Sequence, residues 1–201
     1  MSIYLLKSHF QNVLRPLVKL LFNYGITANQ VTLVACIVSV WLGVGLILYA
    51  SVHKAFLLIP LWMFIRMAFN AMDGMLAREF GQKSALGAYL NELCDVVSDS
   101  CLYLPFAFLP HFVSLHVFIV MMLSIIVEMT GCIALQTGAS RRYDGPFGKS
   151  DRAFAFGVLA LAIGLGLQPA SWLLWIFPMM SVLCIYTVIN RVRQGLQEIR
   201  Q

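Results

Sequence analysis

Six long stretches of apolar residues, separated by short polar or proline-containing breaks, occupy most of this chain. They are residues 31–50, 55–72, 85–109, 112–135, 153–167 and 171–189. A helix needs ~20 mostly apolar residues to cross a bilayer, and only the fifth stretch is clearly shorter. The pattern therefore predicts an all-α membrane protein with six transmembrane helices.

The scarcity of charge agrees with a membrane location. Only 11% of the 201 residues are charged, whereas a soluble domain has about 25%. This composition excludes a soluble enzyme, a disordered chain and a disulfide-stabilised secreted module. The five cysteines lack CxxC spacing and the arrangement of a disulfide framework, so packing within helices is their simplest role.

The first 25 residues predict an amphipathic helix that lies in the membrane interface. Apolar residues recur at helical spacing on one side, and polar residues occupy the other. The apolar side consists of Leu6, Phe10, Val13, Leu14, Leu17, Val18 and Leu21, and the polar side of Lys7, Gln11, Asn12, Arg15 and Lys19. The chain therefore divides into an interfacial helix, residues 1–25, and a six-helix membrane domain, residues 26–201.

Basic residues lie almost entirely on one side of the predicted membrane domain. With six crossings, both termini and the second and fourth loops share one face, and loops rich in Lys and Arg stay in the cytoplasm. This face collects Lys7, Arg15, Lys19, Arg78, Lys83, Arg141, Arg142, Lys149, Arg152, Arg191, Arg193 and Arg200. The opposite turns hold only Lys54 of the basic residues. Both termini are therefore expected in the cytoplasm.

Ionisable side chains within the second and third stretches mark the candidate functional site, because unpaired charges in a membrane are costly. The acidic residues there are Asp73, Glu92, Asp95 and Asp99. From Gly87 onwards, every fourth residue up to Asp99 is small or polar, which gives one nearly straight stripe on a helix. A short loop makes the two helices antiparallel neighbours, so their polar residues can face each other. Oxygen ligands on facing helices suit Mg²⁺ or Mn²⁺ rather than zinc.

A fixed series of residues spans these two helices and the loop between them. The series is Asn70, Asp73, Gly74, Ala77, Arg78, Gly87, Asn91 and Asp95. It resembles the signature of CDP-alcohol phosphatidyltransferases, D-x2-D-G-x2-A-R-x8-G-x3-D-x3-D, with every spacing kept. Residues 26–32 are similar to the segment that opens the family's first helix. The resemblance implies six membrane helices after an interfacial helix, cytoplasmic termini, a site on the cytoplasmic side and a homodimer.

The resemblance also implies an enzyme of phospholipid biosynthesis, a branch of lipid metabolism, in the bacterial inner membrane. Such enzymes transfer a phosphoalcohol group, here a phosphatidyl group, from a CDP-linked donor such as CDP-diacylglycerol to a hydroxyl acceptor, and release CMP. A divalent cation, Mg²⁺ or Mn²⁺, neutralises the pyrophosphate. The expected partners are a CDP-alcohol, an alcohol acceptor, the lipid bilayer and a second copy of the chain. No nucleic-acid partner is expected.

The family's site residues map onto this chain position by position. Asp95 matches the general base. Metal ligands are expected at Asp73, Asp95, Asn70, Asn91 and Asp99. The nucleotide or pyrophosphate is expected to contact Gly74, Ala77, Arg78, Gly87, Asn29 and Thr32. The glycines let it approach both helices closely, although helix packing is an alternative role for them.

Two positions depart from the family's pattern, because Asn70 and Asn91 stand where it has aspartate. An amide oxygen can coordinate a metal but brings no negative charge. Asp99 could supply a further carboxylate, or the third helix could match one turn later, with Asp95 and Asp99 as the final pair. That shift leaves Gly87 unused and puts asparagine where glycine belongs, so the unshifted match is favoured. The shortage of carboxylates favours one tightly held cation, or a second that arrives with the substrate.

Four basic residues are candidate ligands of an acceptor phosphate or a lipid phosphate: Lys149, Arg152, Arg141 and Arg66. Contact with anionic headgroups is the alternative for those in the loop that begins at Arg141. Arg66 lies within a helix, where pairing with Asp99 or Glu128 is the alternative. Glu128 is correspondingly either an acceptor-site residue or the partner of Arg66.

Three functions are open at this point. The first is phosphatidyl transfer. The second is a family member that has lost turnover and binds the nucleotide-lipid or its headgroup, which the asparagines at 70 and 91 motivate. The third is a small transporter that uses the buried carboxylates as a proton or cation path. The crowding of charge towards the cytoplasm favours the first two.

Overall fold

The chain folds almost entirely into α-helices. A computed structural model describes residues 3–110, 112–168 and 170–200, and within this part there are seven α-helices and no strand. The helices are α1 (Ile3–Asn23), α2 (Ala28–Leu48), α3 (Leu58–Glu79), α4 (Ala85–Tyr103), α5 (Ser114–Gln136), α6 (Lys149–Gly164) and α7 (Ile176–Ile199). The predicted all-α fold is confirmed.

Each of the six predicted apolar stretches is helical. Four segments are long and apolar enough to cross a membrane, namely Ala28–Leu48, His53–Glu79, Ser114–Gln136 and Ser171–Ile199. The other two differ for separate reasons, since α4 contains three acidic residues and α6 has only 16 residues. Six helices after α1 are therefore confirmed, and six crossings stay a prediction.

Helix α1 packs against α3 along one side. Val18 is fully buried in that contact, whereas the side chains of Val13 and Leu17 are exposed. The location of α1 in the membrane interface stays a prediction. The side chains of Leu6 and Lys7, which belong to the predicted amphipathic pattern, lie outside the described ones.

Side-chain hydrogen bonds cap the first turns of α2 and α4. At α2 the Thr27 hydroxyl accepts the backbone N–H of Gln30 at 3.3 Å, and the Gln30 side-chain oxygen accepts the N–H of Thr27 at 2.8 Å. This reciprocal pair satisfies two backbone donors at the helix end. At α4 the Ser84 hydroxyl caps the first turn. The side-chain oxygen of Gln82 accepts the N–H of Ala28 at 2.7 Å, which joins the α3–α4 loop to the start of α2.

An aromatic cluster fills the apolar core at the end remote from these caps. Tyr103 stacks on Phe156 with ring centroids 3.7 Å apart, and Phe106 meets Phe156 edge-on at 5.3 Å. The outer surface is apolar as well, with Trp41 and Phe154 about three quarters exposed (73% and 74%). An apolar exterior of this extent matches lipid tails rather than water.

Helices α2 and α4 approach closely because Gly43 has no side chain. A Cβ at this position would overlap the backbone carbonyl of Cys101. Small residues permit such approaches between membrane helices, where dispersion contacts replace the hydrophobic effect as the driving force. The contact holds the end of α4 against α2 and so fixes the helix that presents the polar stripe.

We expect Gly43→Ala to destabilise the protein by about 1–3 kcal/mol, because the added methyl group must displace α4 backbone. Gly45→Ala is the matched control on the same helix, since a Cβ there meets nothing within 4 Å. Unfolding in detergent micelles, followed by circular dichroism, measures both. Equal stability of Gly43→Ala and the wild type would contradict the proposed close packing.

Candidate active site

A cavity of about 760 Å³ lies between the start of α2, the end of α3 and the start of α4. All six residues predicted to contact a nucleotide or pyrophosphate line it: Asn29, Thr32, Gly74, Ala77, Arg78 and Gly87. Asp73 and Asn91 from the predicted metal set line it as well. The fold thus brings residues from three separate helices into one site. Which molecules these residues bind stays a prediction.

Both glycines of the series make room for polar side chains at this cavity. A Cβ on Gly87 would lie 2.8 Å from the side-chain oxygen of Asn29 and 3.0 Å from the Ser84 hydroxyl. A Cβ on Gly74 would lie 2.8 Å from the guanidinium of Arg78. At position 87 the nearest atoms belong to short side chains that cannot swing far, so an alanine there would disturb the cavity wall more than at position 74.

Asp73 is the carboxylate of this cavity that has no cationic partner within the described residues. It is 6% exposed, and its Oδ2 accepts a hydrogen bond from the Thr32 hydroxyl at 2.7 Å. This bond links α2 to α3 and orients the carboxylate. The salt bridges of the described chain involve other carboxylates.

Arg66 joins the two remaining aspartates of the α4 stripe. Its Nη2 donates to Asp95 Oδ1 at 2.9 Å and its Nη1 pairs with Asp99 Oδ1. Asp95 has two further partners, since Lys149 pairs with its Oδ2 and the Asn70 amide lies 3.4 Å from its Oδ1. The sequence left Asp99 and Glu128 open as partners of Arg66. In the structure Arg66 pairs with Asp99 and not with Glu128.

A second cavity, of about 510 Å³, lies between α3 and α6. Most of its wall is apolar, including Met63, Phe64 and Phe154. Its polar residues are Arg66, Asn70, Asp99, Lys149 and Ser150. The ion-paired cluster around Asp95 therefore separates an apolar cavity from the one that holds the predicted nucleotide residues.

The residues present fit one divalent cation better than two. Within the described part of the chain, no three Asp, Glu, His or Cys side chains are grouped to hold a metal. Asp73, together with amide oxygens such as that of Asn91, offers hard oxygen ligands of the kind that Mg²⁺ and Mn²⁺ prefer. Both carboxylate oxygens of Asp95 are already engaged by cations. A second metal at Asp95 therefore does not fit this arrangement.

Glu128 is the centre of a second buried ion cluster. Its Oε1 accepts from Arg152 at 2.8 Å, and its Oε2 lies 3.7 Å from both Arg141 and Arg191. Arg152 and Arg191 are 1% and 2% exposed. Arg141 also pairs with Glu92, which lines the larger cavity, so the cluster reaches the wall of the candidate site.

The structure gives these basic residues more carboxylate contacts than the sequence indicated. Arg152 and Arg141 were predicted as phosphate ligands, and both contact Glu128; phosphate binding by them stays a prediction. Arg191 was counted only for topology, yet its guanidinium donates to the carbonyl of Val127 at 2.6 Å. Its sequence context carried no signal of burial, because Asn190, Arg193 and Gln194 make this part of α7 polar.

The loop between α5 and α6 is tied to the end of α7 through Arg142. Its Nε donates to Asp144 at 2.7 Å and its Nη1 to Glu198 at 2.5 Å. The hydrogen bond that Arg142 donates to Asp144 raises the pKa of the Arg142 guanidinium, and the contact with Glu198 adds to the effect. These contacts hold in place the loop that contains Arg141 and leads into α6 at Lys149.

The fold and the site define a helical membrane protein with a cavity between its helices that charged residues line. The chain belongs to the CDP-alcohol phosphatidyltransferase family, whose model matches residues 25–189. It is 44% identical over 196 residues to the inner membrane protein YnbA of Escherichia coli K12, covering 98% of this chain and 97% of that one. It is also 33% identical over 93 residues to the phosphatidylinositol phosphate synthase of Corynebacterium glutamicum, covering 46% of this chain and 41% of that enzyme.

Solved structures of a more distant protein share the fold. The phosphatidylinositol phosphate synthase PgsA1 of Mycobacterium tuberculosis, in complex with manganese and citrate, superposes with a TM-score of 0.74 at 20% identity. That match covers 90% of this chain and 88% of the other. The same protein with CDP-DAG bound gives a TM-score of 0.71 at 21% identity, covering 92% of each chain.

We expect Glu128→Gln to destabilise the protein by about 3–5 kcal/mol, because it leaves buried arginines without their anion. Glu79→Gln is the matched control. It removes an exposed ion pair with Arg15, and such pairs contribute about 0–1 kcal/mol. Denaturant unfolding in micelles measures the difference. Similar losses for the two variants would mean that the cluster around Glu128 is wetter than the structure indicates.

Proposed function

We propose that this protein transfers the phosphatidyl group of CDP-diacylglycerol to an alcohol and releases CMP, as a step of phospholipid biosynthesis. The observation that supports this most is the larger cavity, whose wall contains all six expected nucleotide contacts. Its volume of about 760 Å³ lies within the range of roughly 300–1,000 Å³ of ligand pockets. Family membership and the CDP-DAG bound to PgsA1 agree with this proposal.

The donor's nucleotide and pyrophosphate would occupy the larger cavity. Gly74 and Gly87 leave space for them, and Arg78 and Lys83 line the same wall with positive charge. Asp73 would hold a divalent cation, which would supply further neutralisation of the pyrophosphate. This assignment rests on the unshifted match to the family pattern, which the cavity-lining position of Gly87 supports.

Asp95 is the proposed general base. The acceptor oxygen forms a bond to the phosphorus that bears diacylglycerol, the bond from that phosphorus to CMP breaks, and the hydroxyl proton moves to Asp95. The ion pair between Lys149 and Asp95 Oδ2 need not persist during this step. Lys149 has a flexible stem and is about one third exposed (31%), so its ammonium can turn to a phosphate oxygen when the donor enters.

The proposed orientation places both termini and the site on the cytoplasmic face of a bacterial inner membrane. The basic residues on one side of six crossings support it, and YnbA is named as an inner membrane protein. Residues 1–25 would lie in the interface, with exposed Val13 and Leu17 among lipids, and residues 26–201 would form the membrane domain. A homodimer is proposed on family grounds.

Release of CMP from CDP-diacylglycerol by the purified protein tests the transferase proposal directly. The assay needs Mn²⁺ or Mg²⁺ and a panel of acceptors that includes glycerol phosphate, inositol phosphate, an amino alcohol and a lipid alcohol. We expect CMP release with at least one acceptor, and lipid mass spectrometry identifies the product. Binding of CDP without CMP release for any acceptor would favour the non-catalytic alternative that Asn70 and Asn91 motivate.

We expect Asp95→Asn to lower the rate of CMP release by roughly 10²–10⁴-fold, which is the usual contribution of a general base. CDP affinity should be unchanged, because Asp95 lies outside the residues that line the larger cavity. Glu79→Gln is the control, since it makes the same acid-to-amide change at the end of α3. Full activity of Asp95→Asn would refute the assignment of the base.

We expect Gly87→Ala to weaken CDP binding by about tenfold or more, equivalent to ~1.4 kcal/mol, because the methyl group displaces the Asn29 side chain. Gly45→Ala introduces the same methyl group at an open position and should bind CDP normally. Isothermal titration in detergent measures both affinities. Unchanged CDP affinity in Gly87→Ala would place the nucleotide elsewhere.

A further inference from the structure

We infer that Arg66 and Lys149 take the place of a second divalent cation, so that the site holds one metal ion, at Asp73. Asp95 is then paired with two organic cations, the buried Arg66, which stays in place, and the more exposed Lys149, which can turn to a phosphate oxygen when the donor enters. This inference rests on the proposed transferase function. It identifies the residues that supply positive charge in the active site. It makes Arg66 a positioning residue and removes Asp95 from the metal ligands that the sequence suggested.

The charge count at the site supports the inference. The family pattern has aspartate at four positions, which two divalent cations would neutralise. Here two of those positions are Asn70 and Asn91, and three carboxylates remain when Asp99 is included. Two of these three are paired with Arg66 or Lys149. The one carboxylate without a cationic partner among the described residues is that of residue 73, which leaves a net charge of one negative unit for a single metal.

The geometry of Arg66 supports it independently. A guanidinium presents donors in a rigid planar fork, which suits two carboxylates at once. In this structure the two terminal nitrogens of Arg66 reach Asp95 and Asp99 separately, and Nη2 also donates to the Asp95 backbone carbonyl at 3.2 Å. The side chain is only 6% exposed. Such a buried, doubly paired cation cannot leave without stranding two buried charges, so it is a permanent part of the site.

Lys149 completes the arrangement from another helix. Its ammonium pairs with the Asp95 oxygen that Arg66 does not contact, so α3 and α6 together engage both oxygens. The two asparagines are consistent with this state. Aspartates at positions 70 and 91 would attract further positive charge, and Arg66 and Lys149 already supply that charge.

Counting bound Mn²⁺ by electron paramagnetic resonance, with CDP present, tests the inference without any activity measurement. The wild type should bind one Mn²⁺ per chain and show the spectrum of an isolated ion. Asp73→Asn should lose the bound ion, and Asp95→Asn, the same substitution at the paired carboxylate, should keep it. Two Mn²⁺ ions per chain, no bound ion, or loss of the ion in Asp95→Asn would each overturn the inference.

A second set of variants tests why only one metal ion binds. The cause is either the presence of Arg66 or the absence of carboxylates at positions 70 and 91. The double variant Asn70→Asp/Asn91→Asp retains Arg66 and should still bind one Mn²⁺. Adding Arg66→Gln should raise the count to two. A count of two in the double variant would mean that the missing carboxylates alone explain the single metal, and would overturn the role of Arg66. If the triple variant does not fold, the wild type and the two single aspartate variants decide the question.

The outcomes also separate this inference from the proposed function. One bound Mn²⁺ with no CMP release from any acceptor would refute the transferase and leave the metal assignment standing. CMP release together with two bound Mn²⁺ ions would support the transferase and refute the metal assignment.

Discussion

Charges buried in a membrane must be paired within the protein, and in this chain one guanidinium organises the site under that constraint. Arg66 reaches from α3 to Asp95 and Asp99 on α4, and it is almost wholly shielded from solvent. A bilayer provides no water to solvate any of the three. The contact links α3 and α4, the helices that supply Asp73 and Gly87 to the larger cavity.

Helix α6 connects that cluster to the second one. Lys149 in its first turn pairs with Asp95, and Arg152, three residues later, pairs with Glu128 on α5. The first turn is held by Asp151, whose carboxylate accepts the N–H of Gly148 at 2.9 Å. Although α6 is short, both buried clusters therefore depend on its first turn. The ion pair between Arg141 and Glu92 then ties the second cluster to the cavity wall, so the site and its supporting helices form one electrostatic unit.

Much of the site could be predicted because fixed spacing on helices determines which residues share a face. The gaps between Asp73, Gly74, Arg78 and Gly87 predicted that they lie together, and all four line the larger cavity. Spacing does not reveal which neighbouring helix a side chain reaches. The choice between Asp99 and Glu128 for Arg66 therefore needed the structure. The burial of Arg152 and Arg191 was missed for a related reason, since a basic residue at a helix end looks the same in sequence whether it faces headgroups or turns inward to a carboxylate.

An anomalous-difference map from crystals grown with Mn²⁺ and CDP-diacylglycerol tests the central claim most directly. The single-metal site predicts one Mn²⁺ peak beside the Asp73 carboxylate, with Arg66 still bridging Asp95 and Asp99. A second Mn²⁺ peak between Asp95 and residue 91, with the guanidinium displaced, would contradict it.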